Sequence, residues 1–189
     1  MSSYQEFIDS KNITNDYFGF EPKNISQSLF DFQQDIVGWA VKKGRAAIFA
    51  DTGLGKTAMQ IEWARQVANH TNGNVLIVAP LCVANQTVRE GVKFGASINY
   101  CRSQDAVKSG INITNYEMLK HFDVSTFAGV VLDESSILKS YMGKTKRMII
   151  DACESVQYRL ACTATPSPNA YLELGNHAEF LGVMPSNEM

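Results

Sequence analysis

The sequence predicts an α/β fold, a doubly wound and mostly parallel sheet with helices on both faces. Three observations carry that prediction. Short apolar runs alternate with stretches of helical periodicity along the chain. The run Asn74 to Ala79 is continuously apolar after its first residue, the pattern of a strand covered on both sides. Residues suited to chemistry fall just past the ends of such runs, where sheets of this kind bind ligands.

Residues 1–27 are polar with scattered aromatics and predict an irregular arm, and 28–189 predict one domain. Phe18 and Phe20 of the arm have two readings: stacking on a purine ring, or pinning the arm to the core. A helix is predicted over 28–43 from the spacing of Ile36, Val37, Ala40 and Val41, with Lys42 and Lys43 in its last turn and Gly44 after it. Arg45 to Phe49 reads as a strand, Ala58 to Ala68 as a helix, and Asn74 to Ala79 as a strand ended by Pro80. A helix over Val83 to Phe94 is weakened by Gly91. Short strands at Ile98 to Cys101 and Ile111 to Thr114 flank a short helix at Ser103 to Lys108. A strand from Phe127 to Leu132 precedes an amphipathic helix over Lys144 to Gln157, whose face carries Met148, Ile149, Ala152, Cys153 and Val156. A strand over Tyr158 to Cys162 and a helix over Tyr171 to Phe180 complete the series.

Ala50-Asp51-Thr52-Gly53-Leu54-Gly55-Lys56-Thr57 joins the first strand to the second helix. Strand, glycine loop, Gly-Lys-Thr and helix form the setting of a phosphate-binding loop. Glycines let the backbone N–H groups of Thr52, Gly53, Leu54 and Gly55 turn toward phosphate oxygens, and the helix N-terminus adds its positive dipole end. Lys56 is expected on the β- and γ-phosphates and the Thr57 hydroxyl on Mg²⁺. Asp133-Glu134, after an apolar strand, divides the remaining chemistry: the first carboxylate holds the metal, the second polarises the attacking water. Thr163 and Thr165 end another strand and have two readings that composition does not separate: hydrogen bonding to the Asp133-Glu134 loop to sense the γ-phosphate, or a plain turn before Pro166. Gln33, just ahead of the glycine loop, is expected to read the N6/N7 edge of adenine through its amide.

The formal net charge is −2, so bulk charge does not advertise nucleic-acid binding and any such contact must be local. Four scattered cysteines suggest neither a zinc site nor a disulfide framework. No apolar run reaches the ~20 residues of a membrane span and residues 1–20 lack a signal-peptide core, so a cytoplasmic setting is expected. Lys144, Lys146 and Arg147 read as a solvated helix start. His70, His121 and His177 share no ligand spacing and receive no role.

Together these motifs resemble the first RecA-like lobe of a superfamily 2 helicase, on the side of the Swi/Snf-like DNA translocases, in a compact form similar to proteins of bacterial viruses and mobile elements. Phe30-Asp31-Phe32-Gln33 resembles the adenine-reading motif, and Ala50 to Thr57 motif I. Pro80 with Gln86 resembles motif Ia, and Thr114-Asn115-Tyr116 motif Ib. Asp133-Glu134-Ser135-Ser136 with Lys139 resembles motif II, and Thr163-Ala164-Thr165-Pro166 with Asn169 motif III. The resemblance spans roughly 29–184. Ala164 replaces a glycine, and Ser136 an imidazole that often couples lobes. It implies a P-loop NTPase using ATP and Mg²⁺, with Lys56, Asp133 and Glu134 catalytic. DNA, most often duplex and without sequence preference, would be gripped through Pro80, Gln86, Thr114, Asn115 and Tyr116. It also implies a second RecA-like lobe carrying an arginine finger, worth ~10³–10⁵ in rate, and hence a longer protein in a bacterial or virus-infected cell. The alternative is a stand-alone nucleotide- or DNA-binding module without catalysis. A small kinase would need an arginine-rich lid, and none is evident after Asp133.

Overall fold

The structure, a computed structural model, describes residues 18–139 and 143–184. Tyr4, Phe7 and Tyr17 of the arm lie outside them, as does the side chain of Lys144. Six strands form one sheet: β1 (Arg45–Phe49), β2 (Val75–Ala79), β3 (Ile98–Tyr100), β4 (Ile111–Asn115), β5 (Gly129–Asp133) and β6 (Tyr158–Thr163). The order across the sheet is β1-β6-β5-β2-β4-β3, and every pairing is parallel. The mostly parallel expectation is met in full. Among the described residues five α-helices cover the sheet: α1 (Asp31–Lys43), α2 (Lys56–Thr71), α3 (Leu81–Lys93), α4 (Lys144–Cys153) and α5 (Glu173–Leu181).

The period of two along each strand sorts side chains into two cores. Ile48, Ile77, Ile113, Val131 and Leu160 point to the face packed by α1, α2 and α3. Leu76, Val78, Val130, Leu132 and Ala161 point to the face that holds Ile149, Phe180 and Leu181 of α4 and α5. All residues of β2, β4, β5 and β6 are buried, which is why these strands read as continuous runs. Gly91 interrupts α3 for a packing reason: a Cβ there would meet Ile98 Cδ1 of β3 at 2.6 Å.

Several sequence readings need correction. The helix predicted over Ser103 to Lys108 is one 3₁₀ turn, Gln104–Ala106. The helix predicted to Gln157 ends at Cys153, and Met148 of its apolar face is part-exposed at 36%. Lys146 is not solvated: it is 7% exposed, donates to Asn176 Oδ1 at 2.8 Å and pairs with Glu179 at 2.9 Å. Residues 18–27 are a strap rather than a loose arm. Phe20 stacks on His70 with centroids 3.8 Å apart and meets Tyr158 edge-on, while Arg45 lies over the Phe18 ring. Both aromatics therefore pin the strap, and Phe20, covered by His70 and Tyr158, is engaged in packing rather than free to stack on a purine.

Arg159 shows how a buried charge is accommodated without a carboxylate partner. It is 4% exposed and donates to the carbonyls of Val156 at 2.9 Å, Phe180 at 2.7 Å, and Glu154. Those carbonyls lie at the C-terminal ends of α4 and α5, where unpaired acceptors and the negative dipole end favour a cation.

Candidate nucleotide site

The loops after β1 and β5, with residues at the start of α1 and along α3, line a cleft of about 490 Å³. Thr52, Gly53, Gly55, Lys56 and Thr57 line it on one side, Asp133 and Glu134 on the other. The glycine requirement is visible in the backbone. Gly53 and Gly55 have φ of +86° and +78°, and a Cβ on Gly55 would come 2.3 Å from Gln33 Nε2. Lys56 begins α2, and its ammonium donates to the carbonyls of Ala50 at 2.9 Å and Asp51 at 3.2 Å. The lysine thus spans the mouth of its own loop, bonded only to carbonyls that an incoming phosphate can replace. Ala50, in place of the usual first glycine, is tied to β6 by its N–H to Thr163 O at 3.2 Å.

Asp133 closes β5 and is 5% exposed. Burial pushes its carboxyl above the usual range, opposed by the Gln60 amide and by the Lys56 charge. One carboxylate oxygen accepts the Glu134 N–H at 3.1 Å, and the Asp133 carbonyl accepts the Tyr116 hydroxyl at 2.7 Å. Glu134 has φ of +53°, a left-handed conformation that is costly for a residue with a side chain. The strain turns the carboxylate into the cleft while the backbone leaves the sheet. Thr163 donates to Glu134 Oε2 at 3.4 Å, and Thr165 N–H donates back to Thr163 Oγ1 at 3.1 Å. Of the two readings of that turn, the bond to the acidic loop is present, although Thr165 itself is exposed and reaches Glu134 only through Thr163.

The other predicted residues divide. Gln33 does not present a free amide. It is 5% exposed, its Nε2 donates to Leu54 O at 3.0 Å, and its Oε1 accepts Phe30 N–H at 3.0 Å. It braces the glycine loop against the start of α1, with one donor and one acceptor of its amide engaged there, and it also lines the cleft. Gln86 lines the nucleotide cleft, bonded to Glu90 at 2.9 Å, and does not join the other residues expected on DNA. Those others partly converge: Pro80, Asn115 and Tyr116 line a second cavity of about 480 Å³, with Glu134 and Lys139. Thr114 is fully buried inside β4 and offers no side chain there, and Asn115 and Tyr116 are 3% and 7% exposed.

Sequence reasoning missed His177. It is 2% exposed on α5, with Nε2 3.1 Å from Ser135 Oγ and Nδ1 3.4 Å from Glu173 O. A carbonyl can only accept, so Nδ1 carries the proton and Nε2 accepts the Ser135 hydroxyl. Burial lowers its pKa and keeps it neutral. An imidazole from α5 therefore braces the acidic turn, in a sequence where Ser136 stands where the resemblance leads one to expect it. Only helical spacing from Glu173, four residues before, signalled that His177 faces inward.

Among the described residues, no cluster of three His, Cys, Asp or Glu side chains could hold a metal by itself. Mg²⁺ does not need one: it uses one or two carboxylates plus phosphate oxygens and keeps several waters. Asp133 and Thr57 in a shared cleft fit that requirement. No helix among the described residues is long and apolar enough to cross a membrane.

Residues 30–173 match the DEAD/DEAH box helicase family, and the chain belongs to that family. It is a helicase-like ATP-binding lobe with a RecA-like fold. The SWI2/SNF2 ATPase core of Sulfolobus solfataricus in complex with dsDNA is similar, at 24% identity and a TM-score of 0.70, covering 87% of this chain and 38% of that one. The same core solved as a domain superposes with a TM-score of 0.70 at 23% identity, over 92% and 38% of the two chains. The UvsW helicase of bacteriophage T4 superposes with a TM-score of 0.67 at 17% identity, over 96% of this chain and 66% of that one. The chain thus spans about two fifths of the SWI2/SNF2 cores. No curated protein matches by sequence.

Proposed function

We propose that this lobe binds Mg–ATP and, working with a second RecA-like lobe, hydrolyses it to drive movement along DNA. The observation that carries the proposal is the meeting of Lys56, Thr57, Asp133 and Glu134 around one cleft from two separate strand ends, with Thr163 of a third strand bonded to Glu134 behind it. When bound, Mg²⁺ would supply positive charge to offset that of the phosphates, and Thr57 and Asp133 are the residues that would hold it. Lys56 holds the β- and γ-phosphates. Glu134, turned into the cleft by its left-handed backbone, orients the attacking water and takes its proton. Thr163 fixes the Glu134 carboxylate and so links the chemistry to β6 and the turn beyond.

DNA contact is assigned to the cavity beside the acidic turn. With Thr114 buried and Tyr116 bonded to Asp133, the contact runs through the Pro80 and Asn115 loop backbones and the exposed Lys139. Such contacts follow phosphates without reading bases. The bond from the Tyr116 hydroxyl to the Asp133 backbone carbonyl ties this cavity to the main chain of the residue that carries the metal carboxylate.

Among the described residues lining the nucleotide cleft there is no arginine. That supports slow turnover by this lobe alone, and it keeps the second reading, a nucleotide-binding module without catalysis of its own. Titration with ATP and a turnover assay, with and without duplex DNA, separate the two. Binding with DNA-stimulated hydrolysis only after a second lobe is supplied supports the enzyme. Binding with no hydrolysis in any complex supports the module. No nucleotide binding overturns both.

A further inference from the structure

Gln60 sits in the interior of α2, one turn below Lys56, and is fully buried. Residues i and i+4 share a helix face, so Gln60 lies under the lysine on the side turned to β5. Neither its Oε1 nor its Nε2 has a hydrogen-bond partner. Its neighbours Met59, Ile61, Trp63 and Ala64 are apolar and equally buried, so packing alone does not call for an amide here. Buried polar groups are nearly always paired, and one that is not requires an explanation. The amide lies close enough to the Asp133 carboxyl group to favour its ionised form, yet forms no hydrogen bond of good geometry with it. Asp133 has spare capacity: a carboxylate offers about four acceptor sites, and the Glu134 N–H uses one of them.

We infer that Gln60 is a positioning residue for the Mg²⁺ site, its Nε2 donating to the Asp133 carboxylate and its Oε1 accepting from a water that the ion retains. The inference rests on the Mg–ATP reading above. It makes the orphaned amide a second layer of the metal site that is completed when metal and nucleotide arrive. An amide supplies one donor and one acceptor at the same end, which matches a carboxylate beside a coordinated water. Methionine or leucine would fill the same space and supply neither.

The test is nucleotide titration of the parent chain, Gln60→Met and Gln60→Leu, each with Mg²⁺ and with EDTA, using ADP and a non-hydrolysable ATP analogue. Melting temperatures check the fold. The expected result is that both variants melt at or above the parent temperature, because an unpaired amide has been removed. They bind nucleotide in EDTA as the parent does, and need about tenfold more Mg²⁺ for half-maximal tightening. A parent-like Mg²⁺ requirement in both variants overturns the inference alone. So does an equal loss with and without Mg²⁺, which would mark a structural residue. A parent chain that binds no nucleotide in either buffer takes down the Mg–ATP reading and this inference with it.

Discussion

The two ends of α2 treat buried polar groups in opposite ways. From the middle of the helix onward, Glu62, Arg65 and Gln66 are engaged. Glu62 accepts from Arg65, Gln66 and the Ser26 N–H, and Gln66 both accepts from and donates to the Lys23 backbone. Arg65 also caps the Asn24 carbonyl. This clasp holds the strap of residues 18–28 against the domain. At the N-terminal end, Lys56 is bonded only to its own loop and Gln60 to nothing. Polar residues that hold the fold find their partners within it, whereas those at the ligand cleft are left with capacity to spare. The cost of the unpaired end, ~1–3 kcal/mol for a buried amide, is one that the rest of the helix absorbs.

The sharpest way to break this comparison is Lys56→Ala. Nucleotide affinity should fall about 100-fold, since bonds to a charged donor contribute ~1.5–3 kcal/mol and a tenfold change is 1.4 kcal/mol. The melting temperature should hardly move, because only the Ala50 and Asp51 carbonyls lose a partner and both lie at the exposed loop. Calorimetric titration beside a thermal melt checks both. Glu62→Ala should do the reverse. It leaves Arg65, Gln66 and the Ser26 N–H without their acceptor, and is expected to cost about 2 kcal/mol, discounted because Arg65 is part-exposed. For a chain of this size that is a fall of about 4–8 °C, with the nucleotide dissociation constant unchanged.

A smaller effect is expected at the other support of the acidic turn. Burial lowers the His177 pKa, so the folded chain holds it neutral where the unfolded chain begins to protonate, near pH 6.5. Its contribution to stability is complete above that pH and is lost as pH falls toward the folded value. Melts between pH 7.5 and 5.5 should show a steeper acid loss for the parent than for His177→Gln. An identical slope in both would show that His177 does not set it. The smallest effect is predicted for Glu21→Ala, which removes an ion pair to Lys42 between side chains 79% and 47% exposed. Less than about 0.5 kcal/mol should be lost in chemical denaturation, which would separate the buried clasp from the surface pair on the same strap.

Much of the fold was legible because its signals are local. Continuous apolar runs mark strands buried on both faces, and β2, β5 and β6 fell where the runs did, within a residue or two. The glycine loop was legible because φ of +86° at Gly53 and +78° at Gly55 favours glycine at both, and Gln33 approaches Gly55 too closely for a Cβ. The weaker readings failed where one residue type serves two purposes. A glutamine ahead of a phosphate loop can read a base or brace the loop, and Gln33 braces it. Gln86 was placed with the DNA-facing group by its distance from Pro80, but the turn of α3 carries it to the nucleotide cleft. A Thr-Asn-Tyr segment looks polar in one dimension and is buried in three, because β4 has neighbours on both edges and both faces.

By itself the sequence determined the parallel α/β sheet, the phosphate loop, the acidic pair and the hydroxylated turn, since each depends on residues adjacent in the chain. Only the tertiary structure decided which side chains support them. His177 reaches Ser135 across 42 positions, Thr163 reaches Glu134 across 29, and Gln60 faces Asp133 from another element. No local pattern encodes such meetings. They follow from sheet order and helix rotation, which are set by burying two apolar faces at once.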